Sequence, residues 1–274
     1  MHEPLLVVDG VSKSFGDIVA LHDINLTIHQ GEVIGLVGSN GAGKTTLLRL
    51  LAGVYVPTNG RVKLANGEEV HTARNVIGVV PENTGLYSRL TAWENIRYHS
   101  RIHGTDDDVA WKRTLYFSKF LGMADALQRH TKGFSRGMRQ KTALLRALAH
   151  APRVLLLDEP TAGLDVTSAR TVRDLVTQLG QEGGTVIYST HQLSEAHRVC
   201  DRIIIIHNGE VRADGTPEEL LELTGAEHLE DAYVSLTMDV AREDEVNEKP
   251  LGRWSKAWRS MFTPSIPKEV DEDE

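Results

Sequence analysis

A glycine-rich turn between an apolar run and a helix-forming run constrains the fold of this chain more than any other feature. The turn follows Val33–Val37, precedes Leu47–Leu51 and comprises Gly38, Ser39, Asn40, Gly41, Ala42, Gly43, Lys44, Thr45 and Thr46. Glycines let successive backbone amides converge on phosphate oxygens, and the following helix N-terminus adds partial positive charge. In this pattern Lys44 reaches the β- and γ-phosphates, and the Thr45 hydroxyl ligates Mg²⁺. The turn therefore predicts a nucleotide-phosphate site between a buried strand and a helix.

The composition of the chain argues against several classes of protein. Of its 274 residues, 41% are hydrophobic, which is ordinary for a globular protein, and the net charge of −8 argues against a nucleic-acid partner. Cys200 is the single cysteine, so no disulfide can form within the chain and a reducing compartment is expected. The longest aliphatic runs, such as Ile203–Ile206, have four residues, whereas a membrane span needs roughly 20. No signal-peptide pattern is evident, so we expect a chain that reaches a membrane only through a partner.

Short apolar runs separated by turn residues predict a mainly parallel sheet and a smaller antiparallel sheet at the N-terminus. The Asn66-Gly67 turn is typical of a hairpin, which would join Arg61–Leu64 to a strand over Glu68–His71. The other expected strands are Leu5–Val8, Ile24–Ile28, Val33–Val37, Ile77–Val80, Val154–Leu157, Thr185–Ser189, Arg202–His207 and Glu210–Asp214.

A helix-rich block over about 87–150 interrupts this alternation of strands and helices. Capping boxes and acids on a first helical turn mark the helix starts. Helices are expected from the capping box at Thr91 toward Ile102, from Asp106–Asp108 onward, over Arg139–His150, over 168–181 and from the capping box at Thr216. The pattern predicts an α/β core with an inserted helical subdomain.

Two carboxylates, Asp158 and Glu159, directly follow the apolar run Val154–Leu157. At the carboxyl end of a parallel strand such groups face the crevice in which ligands bind. Without other evidence, paired acids after a strand form a helix cap or a turn as often as they form a catalytic pair. Together with the upstream phosphate turn, they favour a site in which Asp158 holds Mg²⁺ and Glu159 polarises the water that attacks the γ-phosphorus.

The segment Phe134–Met138, just before the expected helix Arg139–His150, resembles the signature of the ABC ATPase family, which reads leucine-serine-glycine-glycine-glutamine. Ser135 and Gly137 match that signature, whereas Arg136 and Met138 depart from it. The resemblance implies that Ser135, Arg136, Gly137 and Met138 grip the γ-phosphate of a nucleotide held by the phosphate turn of a second copy. Arg136 can either add charge to this grip or point to solvent.

Further residues match the family in its order along the chain. Phe15 takes the position of an aromatic ring that stacks on adenine, although such a residue alone is typical of a core. Glu82 replaces a glutamine that senses Mg²⁺ and contacts a transmembrane partner; its carboxylate can ligate the metal or repel the γ-phosphate. Asp165 belongs to a loop that crosses between subunits, and His191 takes the position of a hydrogen-bond donor to the γ-phosphate.

The resemblance implies a P-loop NTPase (RecA-like) core in an ABC ATPase domain over 1–236, with the helical subdomain at about 87–150. Residues 237–274 form a charged extension, within which 251–262 have the spacing of a short amphipathic helix. That helix can rest on a membrane surface or partner, or pack on the chain itself or a second copy. The residues 81–87, 90–91 and 94–96 resemble the exporters of sodium, drugs or polysaccharides.

We therefore expect an ATPase subunit of an ABC exporter that uses ATP and Mg²⁺, pairs head-to-tail with a second nucleotide-binding subunit, and binds transmembrane permease subunits at the cytoplasmic face of the membrane. A homodimer is expected, and no nucleic-acid partner. The alternative is a regulatory, poorly hydrolysing or non-transport subunit, while the cargo is not encoded in these motifs. The expected catalytic residues are Lys44, Glu159 and His191. The residues expected to bind Mg²⁺ are Thr45, Glu82 and Asp158. The residues expected to bind ATP are Phe15, residues 38–46, Ser135, Arg136, Gly137, Met138 and Asp165.

Overall fold

The chain divides into two compact units, Met1–Leu236 and Thr237–Glu274. A computed structural model describes residues 3–238. The amphipathic helix predicted over 251–262 lies outside the described residues. The described part contains nine strands: β1 Pro4–Phe15, β2 Ile18–His29, β3 Val33–Val37, β4 Asn59–Leu64, β5 Ile77–Val80, β6 Val154–Asp158, β7 Thr185–Thr190, β8 Arg202–His207 and β9 Glu210–Gly215.

Eight α-helices alternate with these strands along the described chain. They are α1 Lys44–Leu51, α2 Ala92–Ile102, α3 Asp107–Phe120, α4 Arg136–Leu148, α5 Val166–Gln181, α6 Leu193–Val199, α7 Pro217–Thr224 and α8 Leu229–Thr237. Within the described range, none of these helices combines the length and the apolar character needed to cross a bilayer.

Six strands form the central sheet in the order β5-β6-β7-β3-β8-β9, and every neighbouring pair is parallel except β8 with β9. The mainly parallel sheet predicted from the sequence is confirmed. The register aligns Val37 with Thr190 and Asp158 with Ser189. The carboxyl ends of β3, β6 and β7 therefore share one edge of the sheet, which is where ligands bind in open α/β folds.

The central strands are buried on both faces because their side chains alternate between two hydrophobic cores. In β6, Leu155 and Leu157 enter the core beneath the helical subdomain, whereas Val154 and Leu156 enter the core beneath α1 and the N-terminal sheet. Both faces of the sheet are thus fixed by packing, so the residue that follows each strand has a defined position.

The N-terminal sheet is antiparallel with the strand order β2-β1-β4, as expected. β1 and β2 are longer than the apolar runs predicted, since their antiparallel pairing continues to Phe15 and Ile18. The strand predicted over Glu68–His71 is wrong: among the described residues this segment pairs only through an isolated Lys63–Glu69 bridge. The chain turns away there, because the amides of Thr72 and Ala73 bond to carbonyls three residues back.

The inserted helical subdomain comprises α2, α3 and α4, as predicted. The capping box at Thr91 and Glu94 forms in both directions, at 3.1 and 2.7 Å. The expected start of α4 at Arg139 is wrong, and so is its expected end at His150. The Ser135 hydroxyl accepts a hydrogen bond from the Met138 amide at 3.2 Å, so Ser135 is the N-cap and the helix begins at Arg136.

Candidate active site

The glycine-rich turn encloses the ammonium group of Lys44 at the start of α1. Gly43 has a φ of +111°, and a Cβ at this position would lie 2.7 Å from Leu21 Cδ2, so the turn requires glycine here. The buried Nζ of Lys44 donates hydrogen bonds to the carbonyl oxygens of Gly38 at 2.8 Å and Ser39 at 3.2 Å. A buried cation and the amides of a helix N-terminus thus lie side by side, which is an arrangement that binds phosphate.

A cavity of about 490 Å³ lies over this turn. It brings together four parts of the chain that the sequence assigned to one site: the turn, the loop after β5, the end of β6 and the end of β7. Its lining is Ala20, Ser39, Asn40, Gly41, Gly43, Lys44, Thr45, Thr46, Glu82, Glu159, Ala162 and His191. Gly38 and Ala42 belong to the turn but are buried beneath it.

Glu159 joins the other two predicted catalytic side chains. Its Oε2 accepts a hydrogen bond from Nδ1 of His191 at 2.9 Å, and its Oε1 lies 3.6 Å from Nζ of Lys44. Glu159 has a φ of +48°, a conformation that costs a non-glycine residue about 1–3 kcal/mol. Its amide donates to the Ser189 carbonyl at 3.1 Å, which ties it to the neighbouring strand. Within the described residues, the buried Oε1 has no hydrogen-bond partner, so it is available to accept one from a ligand or water.

Asp158 lies behind Glu159 and presents its carboxylate to the turn. Its Oδ1 accepts hydrogen bonds from the hydroxyls of Thr45 and Ser189, both at 3.2 Å. Glu82 lies at the exposed rim of the same cavity. Carboxylate and hydroxyl oxygens, such as those of Asp158, Thr45 and Glu82, are ligands that Mg²⁺ prefers. The donor set at this site therefore fits Mg²⁺.

The segment that resembles the ABC signature lies at a second cavity, of about 460 Å³, lined by Glu82, Asn83, Thr84, Arg136, Arg139 and Gln140. Among the described residues, Ser135, Arg136, Gly137 and Met138 do not line the cavity over the phosphate turn, and Glu82 lines both. The signature residues therefore do not contribute to the cavity over the phosphate turn of their own chain, although Glu82 borders both cavities.

The structure gives Arg136 a neighbour. Its side chain is exposed, yet its guanidinium lies against Gly163, where a Cβ would collide with it. Asp165 then caps α5, since its Oδ1 accepts a hydrogen bond from the Ser168 amide at 2.9 Å. This backbone hydrogen bond holds the pKa of Asp165 below its usual range. Arg136 thus reaches the loop of Gly163 and Asp165 and does not simply point to solvent.

Phe15 lies at the end of β1 and is 44% exposed, so the core alternative is wrong for this residue. Its ring packs edge-to-face on Tyr55 with centroids 5.4 Å apart, and Nζ of Lys13 lies 5.1 Å from the ring centroid. Phe15 is not part of the cavity lining among the described residues. Its stacking on adenine stays a prediction.

A buried network behind the site was missed by sequence reasoning. Glu195 accepts hydrogen bonds from the Thr161 hydroxyl at 2.7 Å and the Tyr188 hydroxyl at 3.1 Å, and pairs with Arg173 at 2.7 Å. Burial raises the pKa of Tyr188, so the phenol stays protonated and donates. The network anchors the loop after Glu159 to α5, β7 and α6. No sequence motif marks it, because its members come from four separate elements.

Tyr233 is a second residue that the sequence did not single out. Its hydroxyl accepts a hydrogen bond from the amide of Ser39 at 3.0 Å, although 194 residues separate the two. One amide of the phosphate turn is thus held by α8. The signal for this contact is absent from the local sequence.

A family model, related proteins and solved structures match this chain. The family model described as "ABC transporter" matches residues 21–162. A model described as "AAA domain, putative AbiEii toxin, Type IV TA system" matches residues 130–195. The ABC transporter ATP-binding protein NatA of Bacillus subtilis (strain 168) is 40% identical over 239 residues, which cover 84% of this chain and 97% of that protein.

Other relatives carry names for opposite transport directions. Nod factor export ATP-binding protein I of Cupriavidus pinatubonensis is 34% identical, covering 80% of this chain and 68% of its own. The Fe(3+) ions import ATP-binding protein FbpC of Rhizobium etli is 36% identical, covering 81% of this chain and 64% of its own.

Solved structures share the fold. An ATP-binding subunit of an ABC transporter superposes with a TM-score of 0.79 at 30% identity, covering 85% of this chain and 100% of that one. A dimeric ATP-binding cassette in a post-hydrolysis state with ADP and Pi superposes with a TM-score of 0.71 at 28% identity, covering 77% of this chain and 98% of that one.

The packing of the phosphate turn predicts that Gly38→Ala is harmful. The new methyl group would collide with the backbone carbonyl of Ile206, which cannot rotate away. We expect the free energy of unfolding to fall by about 1–3 kcal/mol, and the affinity for a non-hydrolysable ATP analogue to fall as the turn is displaced. Urea denaturation and equilibrium binding measure the two effects. Gly133→Ala is the matched control, since its methyl group meets open space; equal effects of the two substitutions would contradict the packing argument.

Proposed function

The chain belongs to the ABC transporter family, and from that premise we propose which of its residues bind and cleave ATP and which partners it serves. It is an ATP-hydrolysing nucleotide-binding subunit, which converts ATP and water to ADP and phosphate. The observation that carries the residue assignment is the contact of Glu159 with both Lys44 and His191 over the glycine-rich turn.

In the proposed bound state, the triphosphate follows the amides of residues 38–46. Lys44 neutralises the β- and γ-phosphates, because its Nζ already lies beside the turn and within 3.6 Å of Glu159. Stacking of adenine on Phe15 would hold the base at the edge of the N-terminal sheet. Binding of this kind depends on preorganised dipoles and charges, which are the main catalytic contribution in phosphoryl transfer.

In the proposed hydrolysis step, Glu159 orients a water molecule and takes its proton through Oε1. The water oxygen forms a bond to the γ-phosphorus, and the bond from that phosphorus to the β–γ bridging oxygen breaks, so ADP leaves. His191 holds the carboxylate through Nδ1. Because Nδ1 of His191 contacts Glu159, Nε2 is the ring nitrogen left to contact the γ-phosphate.

The residues proposed to hold Mg²⁺ belong to the same site. Thr45, Asp158 and Glu82 would hold Mg²⁺, which neutralises phosphate charge when bound. Asp158 is already oriented for this by the hydroxyls of Thr45 and Ser189.

We propose that two copies pair head-to-tail, so that the signature residues of each complete the site of the other. The separation of the two cavities within one chain supports this, as does the similarity to a dimeric cassette with ADP and Pi. Arg136 then contributes from the same face as Ser135, braced on Gly163.

A substitution at the proposed base tests the hydrolysis step. Glu159→Gln keeps the shape of the side chain but cannot accept a proton, so we expect phosphate release to fall about 10²–10⁴-fold while ATP binding persists. Size-exclusion chromatography with ATP and Mg²⁺ should then reveal a trapped dimer. Glu230→Gln, on the exposed part of α8, is the control. Normal turnover by Glu159→Gln would remove Glu159 from the catalytic role.

Mixing two inactive variants tests the head-to-tail arrangement. Lys44→Ala breaks the phosphate turn, and Ser135→Asp retains a helix cap but repels the γ-phosphate. Each variant alone should be inactive, whereas a mixture contains pairs with one intact composite site. With random pairing, we expect phosphate release to recover to roughly a quarter of the unmodified rate. A mixture as inactive as its components would contradict a site shared between copies.

We also propose that separate transmembrane subunits dock on the helical subdomain at the cytoplasmic face of the membrane, and that the assembly exports its cargo. Tyr87 and Tyr98 form an edge-to-face pair with centroids 5.6 Å apart, and they are 55% and 51% exposed. Exposed paired aromatics are typical of protein interfaces. Tyr87 belongs to the segment that follows Glu82 along the chain, and Tyr98 lies in α2. The export direction rests on the resemblance of residues 81–96 to exporters and on the relatives named for Nod factor export.

Copurification from membranes tests this docking face. We expect the double variant Tyr87→Ser, Tyr98→Ser to lose most of the membrane protein that copurifies with the unmodified chain, while its thermal unfolding midpoint stays within a few degrees. Tyr116→Ser, which removes another exposed tyrosine of the helical subdomain, is the control. Equal recovery of the membrane protein with all three proteins would contradict the docking face. Uptake of cargo into vesicles measures the direction of transport.

A further inference from the structure

Three imidazole rings meet where α2 and α4 end against each other. His99 lies in the last turn of α2, His103 caps that helix one turn later, and His150 follows α4. One ring nitrogen from each lies within 4.8 Å of the others. His99 and His103 are partly exposed and His150 is buried, so the cluster is reachable from the surface. None of these residues belongs to the ATP site.

The nitrogens of this cluster have available lone pairs. Nε2 of His150 donates to the carbonyl oxygen of Ile77 at 3.1 Å, which leaves Nδ1 as the unprotonated nitrogen. Among the described residues, Nδ1 of His150 and Nδ1 of His99 are buried without a hydrogen-bond partner. Buried polar atoms are nearly always paired. A histidine that binds a metal typically donates its other N–H to a backbone carbonyl, as His150 does.

We propose that His99, His103 and His150 form a binding site for a borderline divalent transition metal, with Zn²⁺ as its representative. Imidazole favours such ions, whereas Mg²⁺ and Ca²⁺ favour oxygen. Three imidazole nitrogens on one tetrahedral Zn²⁺ are about 3.4 Å apart, since each bond is about 2.0–2.1 Å long. The three ring nitrogens, which now lie within 4.8 Å of one another, must therefore reach this separation when an ion binds.

Binding of an ion changes the present arrangement of two of the rings. His103 and His150 stack with centroids 4.1 Å apart and planes 11° apart, and a metal requires their nitrogens to turn toward a common point. Rotation about the bond to the ring is soft for histidine.

Two arginines set the charge around the cluster. The positive charges of Arg146 near His99 and Arg113 near His150 oppose a second cation, and an anionic fourth ligand such as hydroxide or chloride would offset them. Arg146 also donates to the carbonyl of Thr84 at 2.8 Å, in the loop that follows Glu82. A bound ion would therefore tie the end of α2 to the helix that holds this loop.

The test uses the full chain without nucleotide, freed of metal by chelation and then dialysed against Zn²⁺ or Co²⁺. We expect one tightly held ion per chain by elemental analysis, and visible absorption of Co²⁺ in a tetrahedral nitrogen environment. His103→Phe keeps a planar ring against His150 but removes the ligand, so the affinity should fall at least about tenfold. The exposed His71→Ala is the control for adventitious histidine binding and should behave like the unmodified chain.

The proposal would be overturned if His103→Phe held as many ions per chain, with the same Co²⁺ absorption, as the unmodified chain. It would also be overturned if the unmodified chain bound these ions only nonspecifically. Zinc X-ray absorption on the unmodified chain requires no variant. The spectrum should show imidazole nitrogens at about 2.0 Å from the metal. A coordination shell made only of oxygen, such as the carboxylates of the ATP site would give, would also overturn the proposal. Neither readout depends on ATP hydrolysis, so the result is independent of the proposed function.

Discussion

The parallel register of β6, β7 and β3 is the constraint on which the rest of the structure depends. Because Asp158 pairs with Ser189 and Val37 pairs with Thr190, the residues that follow all three strands arrive at one edge of the sheet. The two buried faces prevent a shift of register, since a slip by one residue would exchange the side chains of the two cores. The register thereby brings the phosphate turn to the carboxylate of Glu159, more than 100 residues further along the chain, and to His191, which lies 32 residues after Glu159.

The same edge concentrates features that are unfavourable for stability. Glu159 has a positive φ, its Oε1 is buried without a hydrogen-bond partner among the described residues, and Lys44 is buried. The network of Thr161, Tyr188, Glu195 and Arg173 lies directly behind and fixes the loop that follows Glu159. Unpartnered groups held in place by a well-bonded scaffold are what a preorganised hydrolytic site requires, because they gain partners only when ligand and water arrive.

In the proposed head-to-tail pair, the division of the site between two cavities couples ligand binding to the docking of a second copy. A half-site that holds phosphate weakly alone gains its remaining contacts only when a second surface docks, so ligand and docking stabilise each other. Glu82 lines both cavities and begins the loop that Arg146 holds. A change at the γ-phosphate is therefore adjacent to the helical subdomain, which carries the exposed aromatic pair.

The sequence by itself determined the features that depend on residues close together in the chain. The phosphate turn, the capping box at Thr91 and the acids after β6 could be read because spacing alone dictates their local geometry. Their assignment to one site followed from strand order and from family resemblance. Within the part of the chain that the structure describes, the expected strand over Glu68–His71 forms only one bridge, to Lys63, because the amides of Thr72 and Ala73 bond to carbonyls three residues back and turn the chain there.

Only the tertiary structure decided which distant groups meet. It placed Arg136 on Gly163, joined Tyr233 to the amide of Ser39, and brought His150 to the pair His99 and His103. These contacts depend on how helices pack over the sheet, and packing is set by the summed shape of many side chains. A local motif records the chemistry of a residue, whereas its neighbours across the fold exist only once the chain has closed on itself.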